Sequence, residues 1–449
     1  MNYQRTRLNG LIFLVLLITT FSCNKETPVG PKSQFVNNEK PDLVKDWTSL
    51  SVDLITQCNG FNDLIASRAM YYLSVTMYES LLPGLEGYSS LQTRICGLNT
   101  TLPQPLNSKQ YNWMIVSNQA LAVVSSELFK SSGGLNLSKI SALRDKNISI
   151  ASIGLEETVI VDSRDLGNEI GWKLIEYAGT DGRADYYLKI YPNIIMPVKE
   201  GGWIPTPPDY SDKIVLPNWG ESKPAYQQNV TDIFPNKILN YSSSNQSIMY
   251  SEAIEVYNLT TNLSNDEIDH VKYWNENADI HATPFNHNLL LLAQMLEDKD
   301  FPLDKAVELL LRMSIAHYDG YILAWQIKFK YDLLRPSSYI KQNISRYFIP
   351  EFSCTAIPEF ASEKALIYNA GAEIFANYFG HRTSFIDFTQ SKRSDLVTNK
   401  KFFNSFSDMA KEAAYSDLYS AVHFRTSVDV GFQLGYDISQ KTLALKLTK

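Results

Sequence analysis

The stretch WQIKFKYDLLRPSSYI, residues 325–340, closes a long apolar run. Apolar side chains recur almost all round this run, which predicts a buried helix over 303–334 at the centre of a bundle. Lys328 and Arg335 lie seven residues apart, about two helical turns, so both can face one side. Pro336 should stop the helix there and hold Arg335 in an extended conformation. Such a cation pair suits an oxyanion site, although cations at a helix C-terminus also favour its dipole.

The rest of the chain also has a helical pattern. Of 449 residues, 44% are hydrophobic and 20% charged, as expected of a globular protein. Alternating β-branched stretches are few, so the predicted fold class is all-α, built of packed helical bundles. Other helices are predicted at about 43–58, 111–129, 155–177, 361–379, 398–415 and 417–443, and a capping box at Ser264–Glu267 opens a further one.

Composition divides the chain into five predicted segments. Eight of the 19 prolines fall between Pro192 and Pro235, which predicts an irregular crossover between two helical halves. The predicted segments are a signal peptide over 1–22, a tether over 23–42, an N-terminal helical region over 43–190, a proline-rich crossover over 191–255 and a helical core over 256–449.

The N-terminal segment resembles an export signal. Arg5 and Arg7 precede an apolar core, and Cys23 follows a small residue at its end. This order predicts a bacterial lipoprotein with Cys23 lipidated, on the periplasmic or cell-surface face of the outer membrane. An ordinary cleaved signal with an incidental cysteine is the alternative. Nothing later in the sequence is apolar for about 20 residues, so the expected membrane contact is through Cys23 alone.

Charge and cysteine usage limit the partners. The chain carries a net charge of −7, which becomes −9 once residues 1–22 are removed, so nucleic acid is not an expected partner. After lipidation of Cys23 the remaining cysteines are Cys58, Cys96 and Cys354. Cys58 and Cys96 could pair in an exported protein, but three thiols form no disulfide framework.

Two segments downstream of the cation pair indicate which kind of site it belongs to. Pro358–Lys364 (PEFASEK) and Ser416–His423 (SDLYSAVH) follow the K-x6-R-P motif. Together the three resemble the signature shared by type 2 phosphatidic acid phosphatases and vanadium-dependent haloperoxidases, namely K-x6-R-P, P-S-G-H and S-R-x5-H-x3-D. This chain resembles the bacterial haloperoxidase-like branch of that superfamily. Outside the three motifs, the segments 180–182, 202–208 and 217–220 also resemble that branch. The resemblance covers most of the chain from about Ala66, and its core corresponds to 256–449.

The resemblance implies a fold of helical bundles and a pocket for phosphate or vanadate. By this resemblance Lys328, Arg335 and Ser362 bind the oxyanion, and His423 is the phosphatase nucleophile or the vanadate ligand. The implied cofactor is vanadate, and the implied ligand is a small phosphorylated or oxyanionic molecule. No metal ligand set is predicted.

The chain departs from the family pattern at five positions: Ala361 for proline, Glu363 for glycine, Lys364 for the acid–base histidine, Asp417 for the second arginine, and Ser427 for the orienting aspartate. An aspartate in place of arginine repels an oxyanion by about 4 kcal/mol at about 4 Å and an effective dielectric near 20. Lys364 is a poor proton donor near neutral pH. Asp429 lies roughly 200° round a helix from Ser427, so it is a poor substitute.

These departures leave two functions open and make vanadate binding doubtful. One is a lipid-anchored haloperoxidase- or phosphatase-like enzyme with weak or no activity. The other is a fully non-catalytic binding or scaffold lipoprotein on the same fold. The roles of His270, His281 and His287 stay open, because their spacings fit no common zinc pattern.

Overall fold

The computed structural model describes residues 33–449, except 100, 189–194, 276–282 and 298–300. The signal peptide, Cys23 and most of the tether therefore lie outside the described residues. The N-terminal half contains α1 (Asp42–Gln57), α2 (Asp63–Leu81), α3 (Trp113–Leu128), α4 (Gly134–Ala151) and α5 (Glu157–Ala178). There follow α6 (Gln228–Thr231), α7 (Ile248–Thr260), α8 (Asn265–Trp274), α9 (Pro284–Glu297), α10 (Leu303–Tyr331), α11 (Pro336–Asn343), α12 (Glu363–Phe379), β1 (Phe385–Asp387), β2 (Lys401–Phe403), α13 (Phe406–Tyr419) and α14 (Arg425–Ala444).

The fold is all-α, as predicted, apart from β1 and β2, which form a two-stranded antiparallel sheet. Of the 29 residues of α10, 23 are buried, which agrees with its apolar pattern on every side. This helix packs against α2 of the N-terminal half and against α12 and α14 of the C-terminal half. Within the described ranges, no helix is both long and apolar enough to cross a membrane.

The C-terminal end of α10 differs from the prediction. The helix ends at Tyr331, because Asp332 adopts a left-handed backbone conformation with φ of 48°. Pro336 is not a stop signal: it occupies the first turn of α11, where proline needs no amide hydrogen. Arg335 is the N-cap residue of α11 with extended φ and ψ of −71° and 154°. The cation pair therefore spans a helix break.

The predicted helices over 398–415 and 417–443 are also wrong in their bounds. Residues 401–403 form a strand, and α13 and α14 are separated by a turn at residues 420–424. Ala421 has a positive φ of 56°, Val422 N donates to Asp417 O at 3.1 Å, and Ala421 N donates to Leu418 O at 3.4 Å. This pattern is a Schellman motif with alanine in the usual glycine position, and it ends α13 just before His423.

The proline-rich segment is largely irregular over residues 195–247, apart from the short helix α6, whereas residues 248–255 of the predicted crossover belong to α7. The irregular part is attached to α10. The buried carboxylate of Asp319 accepts hydrogen bonds from Ala225 N at 2.6 Å and Tyr226 N at 2.9 Å. Further along, Asp332 accepts one from Trp203 N at 3.1 Å. The crossover thus covers the helix that carries Lys328. Cys58, Cys96 and Cys354 are free thiols, so the structure contains no bond between Cys58 and Cys96.

Two glycines allow α14 to approach α12 closely. A Cβ atom on Gly431 would lie 2.3 Å from the carbonyl oxygen of Ser362, and one on Gly435 would lie 2.4 Å from that of Leu366. Both contacts are with backbone, which can yield little. The start of α12, which carries Ser362 and Glu363, is therefore positioned by α14.

Replacing Gly431 with alanine should destabilise the fold by about 1 to 3 kcal/mol, because overpacking forces the two helices apart. Chemical denaturation would measure the loss. The matched control is Gly134→Ala, since a Cβ at Gly134 meets nothing within 4 Å and alanine favours a helix. Equal stability of the two variants would contradict this account of the packing.

Candidate oxyanion site

Lys328 forms the floor of the candidate site. Its side chain is fully buried, and Nζ donates to the carbonyl oxygens of Pro358 at 3.2 Å and Glu359 at 2.9 Å. Glu363 Oε2 lies 2.7 Å from Nζ and completes the surroundings of the ammonium. Burial lowers the pKa of Lys328, while Glu363 acts against that shift. A buried ammonium of this kind requires such a counterion.

Arg335 lies beside Lys328 and is held mainly by backbone carbonyls. Its Nε donates to Ile357 O at 3.1 Å, and Nη1 donates to Val422 O at 3.0 Å. Nη1 also lies 2.9 Å from His423 Nε2. Nη2 is buried and has no hydrogen-bond partner among the residues that the structure describes. One donor of the guanidinium fork is therefore unused.

Ser362 reaches the site but is already engaged. As the N-cap residue of α12, its Oγ accepts a hydrogen bond from Ala365 N at 3.1 Å, as serine commonly does at helix starts. The same hydroxyl lies 3.3 Å from Asp417 Oδ2, to which it donates. To bind an oxyanion, this hydroxyl would have to turn its proton away from Asp417, whereas the hydrogen bond accepted from Ala365 N could remain.

Glu363 places its carboxylate between the predicted oxyanion-binding groups. Oε2 lies 2.7 Å from Lys328 Nζ and 3.3 Å from His423 Nε2. Burial would raise the pKa of Glu363, but the nearby Lys328, His423 and Arg335 outweigh it and hold that pKa well below the usual value. About one-fifth of this side chain is exposed. The carboxylate is thus an anion supplied by the chain itself.

Asp417 does not pair with Arg335; its partners are Lys364 and His423. Oδ1 lies 2.8 Å from Lys364 Nζ, and Oδ2 lies 2.8 Å from His423 Nδ1. Burial opposes ionisation, but Lys364 and His423 lower the pKa of Asp417 to about 2. The sequence interpretation of Asp417 as a purely repulsive replacement was therefore incomplete. In the predicted continuous helix, two residues six apart would point about 120° apart, whereas the turn after α13 brings them together.

Ser427 takes no part in orienting the histidine, in agreement with the departure seen in the sequence. Its Oγ donates to Glu359 Oε2 at 2.6 Å, and Phe424 N donates to Glu359 Oε1 at 2.8 Å. Glu359 is fully buried, and burial raises its pKa. Sequence reasoning did not assign Glu359 a role. It ties the segment after His423 to the loop before α12. Asp429 accepts from Tyr415 instead, at 2.6 Å.

The site contains equal numbers of basic and carboxyl side chains. Lys328, Arg335 and Lys364 supply three cations, and Glu359, Glu363 and Asp417 supply three carboxyl groups. The unpaired Arg335 Nη2 would suit an oxyanion, yet the Glu363 carboxylate stands within 3.3 Å of the histidine nitrogen that would bind one. As arranged, these residues do not fit vanadate, and an external anion must displace Glu363.

His287 and His270 have partners other than the residues of the candidate site. His287 is fully buried, with Nε2 2.8 Å from Asp387 Oδ2 and Nδ1 2.9 Å from Tyr368 Oη. His270 lies 3.6 Å from Glu412, and His281 is outside the described residues. No group of three His, Cys, Asp or Glu side chains in the described part of the chain is placed to hold a metal ion. The described hydrogen-bond partners of His287 are therefore Asp387 and Tyr368.

Replacing Asp387 with asparagine should destabilise the protein by about 3 to 5 kcal/mol, because His287 would lose a buried partner. Burial opposes ionisation, but His287 lowers the pKa of Asp387 to about 2. Since that pKa is below the usual 3.8, the stabilisation is present above about pH 4 and is lost as pH falls toward 2. Thermal unfolding between pH 2 and 6 would show a steeper decline in wild type than in the variant. Parallel curves would contradict this assignment.

Comparison with known proteins supports the fold and the family resemblance. Residues 308–447 match the family model described as the VCPO second helical-bundle domain. No curated protein matches the chain. A crystal structure of the first bacterial vanadium-dependent iodoperoxidase is 24% identical, with a TM-score of 0.81, over 91% of this chain and 97% of that one.

Two structures of a bacterial vanadium-dependent chloroperoxidase are similar at a lower level. The apo form is 14% identical, with a TM-score of 0.61 over 85% of this chain and 94% of that one. The holo form is 13% identical, with a TM-score of 0.59 over 91% and 94%. The chain therefore has the helical fold of the vanadium haloperoxidases. The predicted helical-bundle fold is confirmed, and the match of residues 308–447 to the family model agrees with the resemblance to bacterial haloperoxidases seen in the sequence.

Proposed function

We propose that this protein is an exported, lipid-anchored member of the haloperoxidase superfamily whose oxyanion pocket is closed by its own Glu363. Vanadate or phosphate binds weakly, and haloperoxidase or phosphatase activity is weak or lost. The main support for this proposal is the position of the Glu363 carboxylate, which lies 2.7 Å from Lys328 Nζ and 3.3 Å from His423 Nε2.

Electrostatics supports weak binding. Two unit charges about 4 Å apart interact by about 4 kcal/mol at an effective dielectric near 20. An entering oxyanion meets Glu363 at roughly this range, and the repulsion between them offsets the attraction of Lys328 and Arg335. Displacing Glu363 also breaks an ion pair whose ammonium is buried. The oxyanion thus replaces one counterion with another and gains little.

The proton-transfer position supports reduced catalysis. Lys364 stands where the resemblance places the acid–base histidine, and its Nζ is 2.8 Å from Asp417 Oδ1 and 3.3 Å from Ser416 Oγ. An ammonium that is engaged by a carboxylate and a hydroxyl is not free to approach a leaving group, so this position disfavours general-acid catalysis. His423 remains in the pocket with Nε2 toward Arg335.

The free Nη2 of Arg335 and the partial exposure of Glu363 favour residual oxyanion binding over none. A fully non-catalytic binding or scaffold role on the same fold is the second candidate. Its support is the pairing of each pocket carboxylate with a cation or an N–H or O–H donor.

Glu363→Gly should raise the affinity for vanadate at least tenfold, because it removes the competing anion and opens the space that it fills. A tenfold change corresponds to about 1.4 kcal/mol, well below the unscreened repulsion. Isothermal calorimetry with vanadate and with phosphate would measure it. Adding Lys328→Ala should abolish the gain. Tight vanadate binding by wild type would refute the proposal.

Two control variants separate the causes. Glu363→Gln keeps the size and removes the charge, so it distinguishes repulsion from obstruction. Glu373→Gln removes a carboxylate ten residues further along α12, about 15 Å away, and should leave the affinity unchanged. Bromide oxidation and phosphatase assays of wild type and Glu363→Gly would then decide between residual catalysis and a purely binding role.

The lipid anchor has its own test. Cys23→Ser should release the protein from the membrane fraction, because an acyl chain supplies about 0.8 kcal/mol per buried methylene and serine carries none. Fractionation and mass spectrometry of the N-terminus would detect the loss. Cys96→Ser, at a thiol inside the fold, should stay with the membrane. An unmodified N-terminus in wild type would contradict lipidation.

A further inference from the structure

We infer that Asp417 is the residue that positions His423, holding it as the Nδ1–H tautomer with the Nε2 lone pair turned into the pocket. Asp417 has this role, whereas the family pattern has its orienting aspartate at the position of Ser427. The inference about the tautomer stands on geometry alone. Its consequence for ligand binding rests on the proposed function.

The tautomer follows from what surrounds each ring nitrogen. At Nε2, Arg335 Nη1 lies at 2.9 Å and Lys328 Nζ at 3.5 Å. Both side chains only donate, so Nε2 must accept. At Nδ1, the oxygen of Asp417 lies at 2.8 Å, and a carboxylate only accepts. The proton of the neutral imidazole therefore resides on Nδ1.

Glu363 is the one contact that acts in the other direction. Its Oε2 is 3.3 Å from Nε2 and would accept a proton there, but it is closer to Lys328, at 2.7 Å. A proton on Nε2 would also face the guanidinium of Arg335. The shorter contacts and the two cations therefore favour an unprotonated Nε2 in the neutral ring.

Asp417 is itself held firmly in place. Lys364 binds Oδ1 at 2.8 Å, Ser362 donates to Oδ2 at 3.3 Å, and the residue is almost completely buried. The Schellman motif that ends α13 runs from Asp417 O to Val422 N at 3.1 Å, so the turn that carries His423 begins on Asp417. Side chain and backbone of this residue thus orient the ring together.

The ion pair between Lys364 and Asp417 gives Lys364 a second role. It replaces the acid–base histidine of the resemblance, but it also compensates the charge of Asp417. The changes at 364 and 417 therefore form one unit: the cation holds the carboxylate, and the carboxylate holds the histidine. Restoring an arginine at 417 alone would remove the orienting group.

The test is nuclear magnetic resonance of the full-length protein labelled with ¹⁵N-histidine, with the His423 signals assigned through His423→Gln. Wild type should show a protonated, hydrogen-bonded Nδ1 and an unprotonated Nε2. In Asp417→Asn, Lys364 takes the amide oxygen, so the amide NH₂ faces Nδ1 and forces the proton to Nε2. The Nδ1–H signal of His423 should disappear and an Nε2–H signal should replace it.

The matched control is Asp429→Asn, which makes the same chemical change at a carboxylate bound to Tyr415, and it should leave the His423 signals unchanged. A wild-type spectrum with the proton on Nε2 would overturn the inference even if Asp417→Asn fails to fold. So would an Asp417→Asn protein that folds and keeps the wild-type signal.

Ligand binding links the tautomer to the pocket. In the Glu363→Gly background, Asp417→Asn should lower vanadate affinity at least tenfold, because the Nε2 lone pair is no longer free to face the ligand. Asp429→Asn in that background should have no effect. Tight vanadate binding by wild type would refute the proposed function and leave the tautomer result intact, so the two failures are distinguishable.

Discussion

The buried ammonium of Lys328 is the constraint on which the rest of the site depends. It lies on a helix that is buried on nearly every side, and an unpaired charge there would cost several kcal/mol. Two carbonyl oxygens of the loop before α12 and the carboxylate of Glu363 satisfy it. In the family that this chain resembles, an external oxyanion is the counterion of the corresponding lysine. Here the chain carries the counterion itself, so the folded protein has no need of a bound anion.

The same principle explains the other replacements. An aspartate at 417 would be costly beside Lys328 and Arg335 only if its charge faced the pocket. It faces Lys364 and the far nitrogen of His423 instead, so its charge is compensated locally. Glu359 accepts hydrogen bonds from an amide and a hydroxyl, while its burial raises its pKa. The pocket is therefore rearranged rather than simply depleted.

The N-terminal half contributes by burying α10. Arg68 on α2 forms a buried ion pair with Asp181, with Nε 2.6 Å from Oδ2, and the ring of Tyr71 stacks on Tyr318 of α10 at 5.1 Å. The ion pair attaches the segment 180–182, which shares the family resemblance, to α2, and α2 packs against α10. Its contribution is to the support of α10.

Sequence alone determined the fold class, the long central helix and the signature residues, because these depend on local periodicity and on residue types at given spacings. Helix α10 began where predicted, and Lys328, Arg335, Ser362 and His423 all meet at one place. Only the tertiary structure decided what those residues do. Asp417 and His423 would diverge on a continuous helix, and the left-handed turn at Ala421 joins them. Whether Glu363 faces solvent or Lys328 depends on helices that are distant in sequence, and no local pattern contains that information.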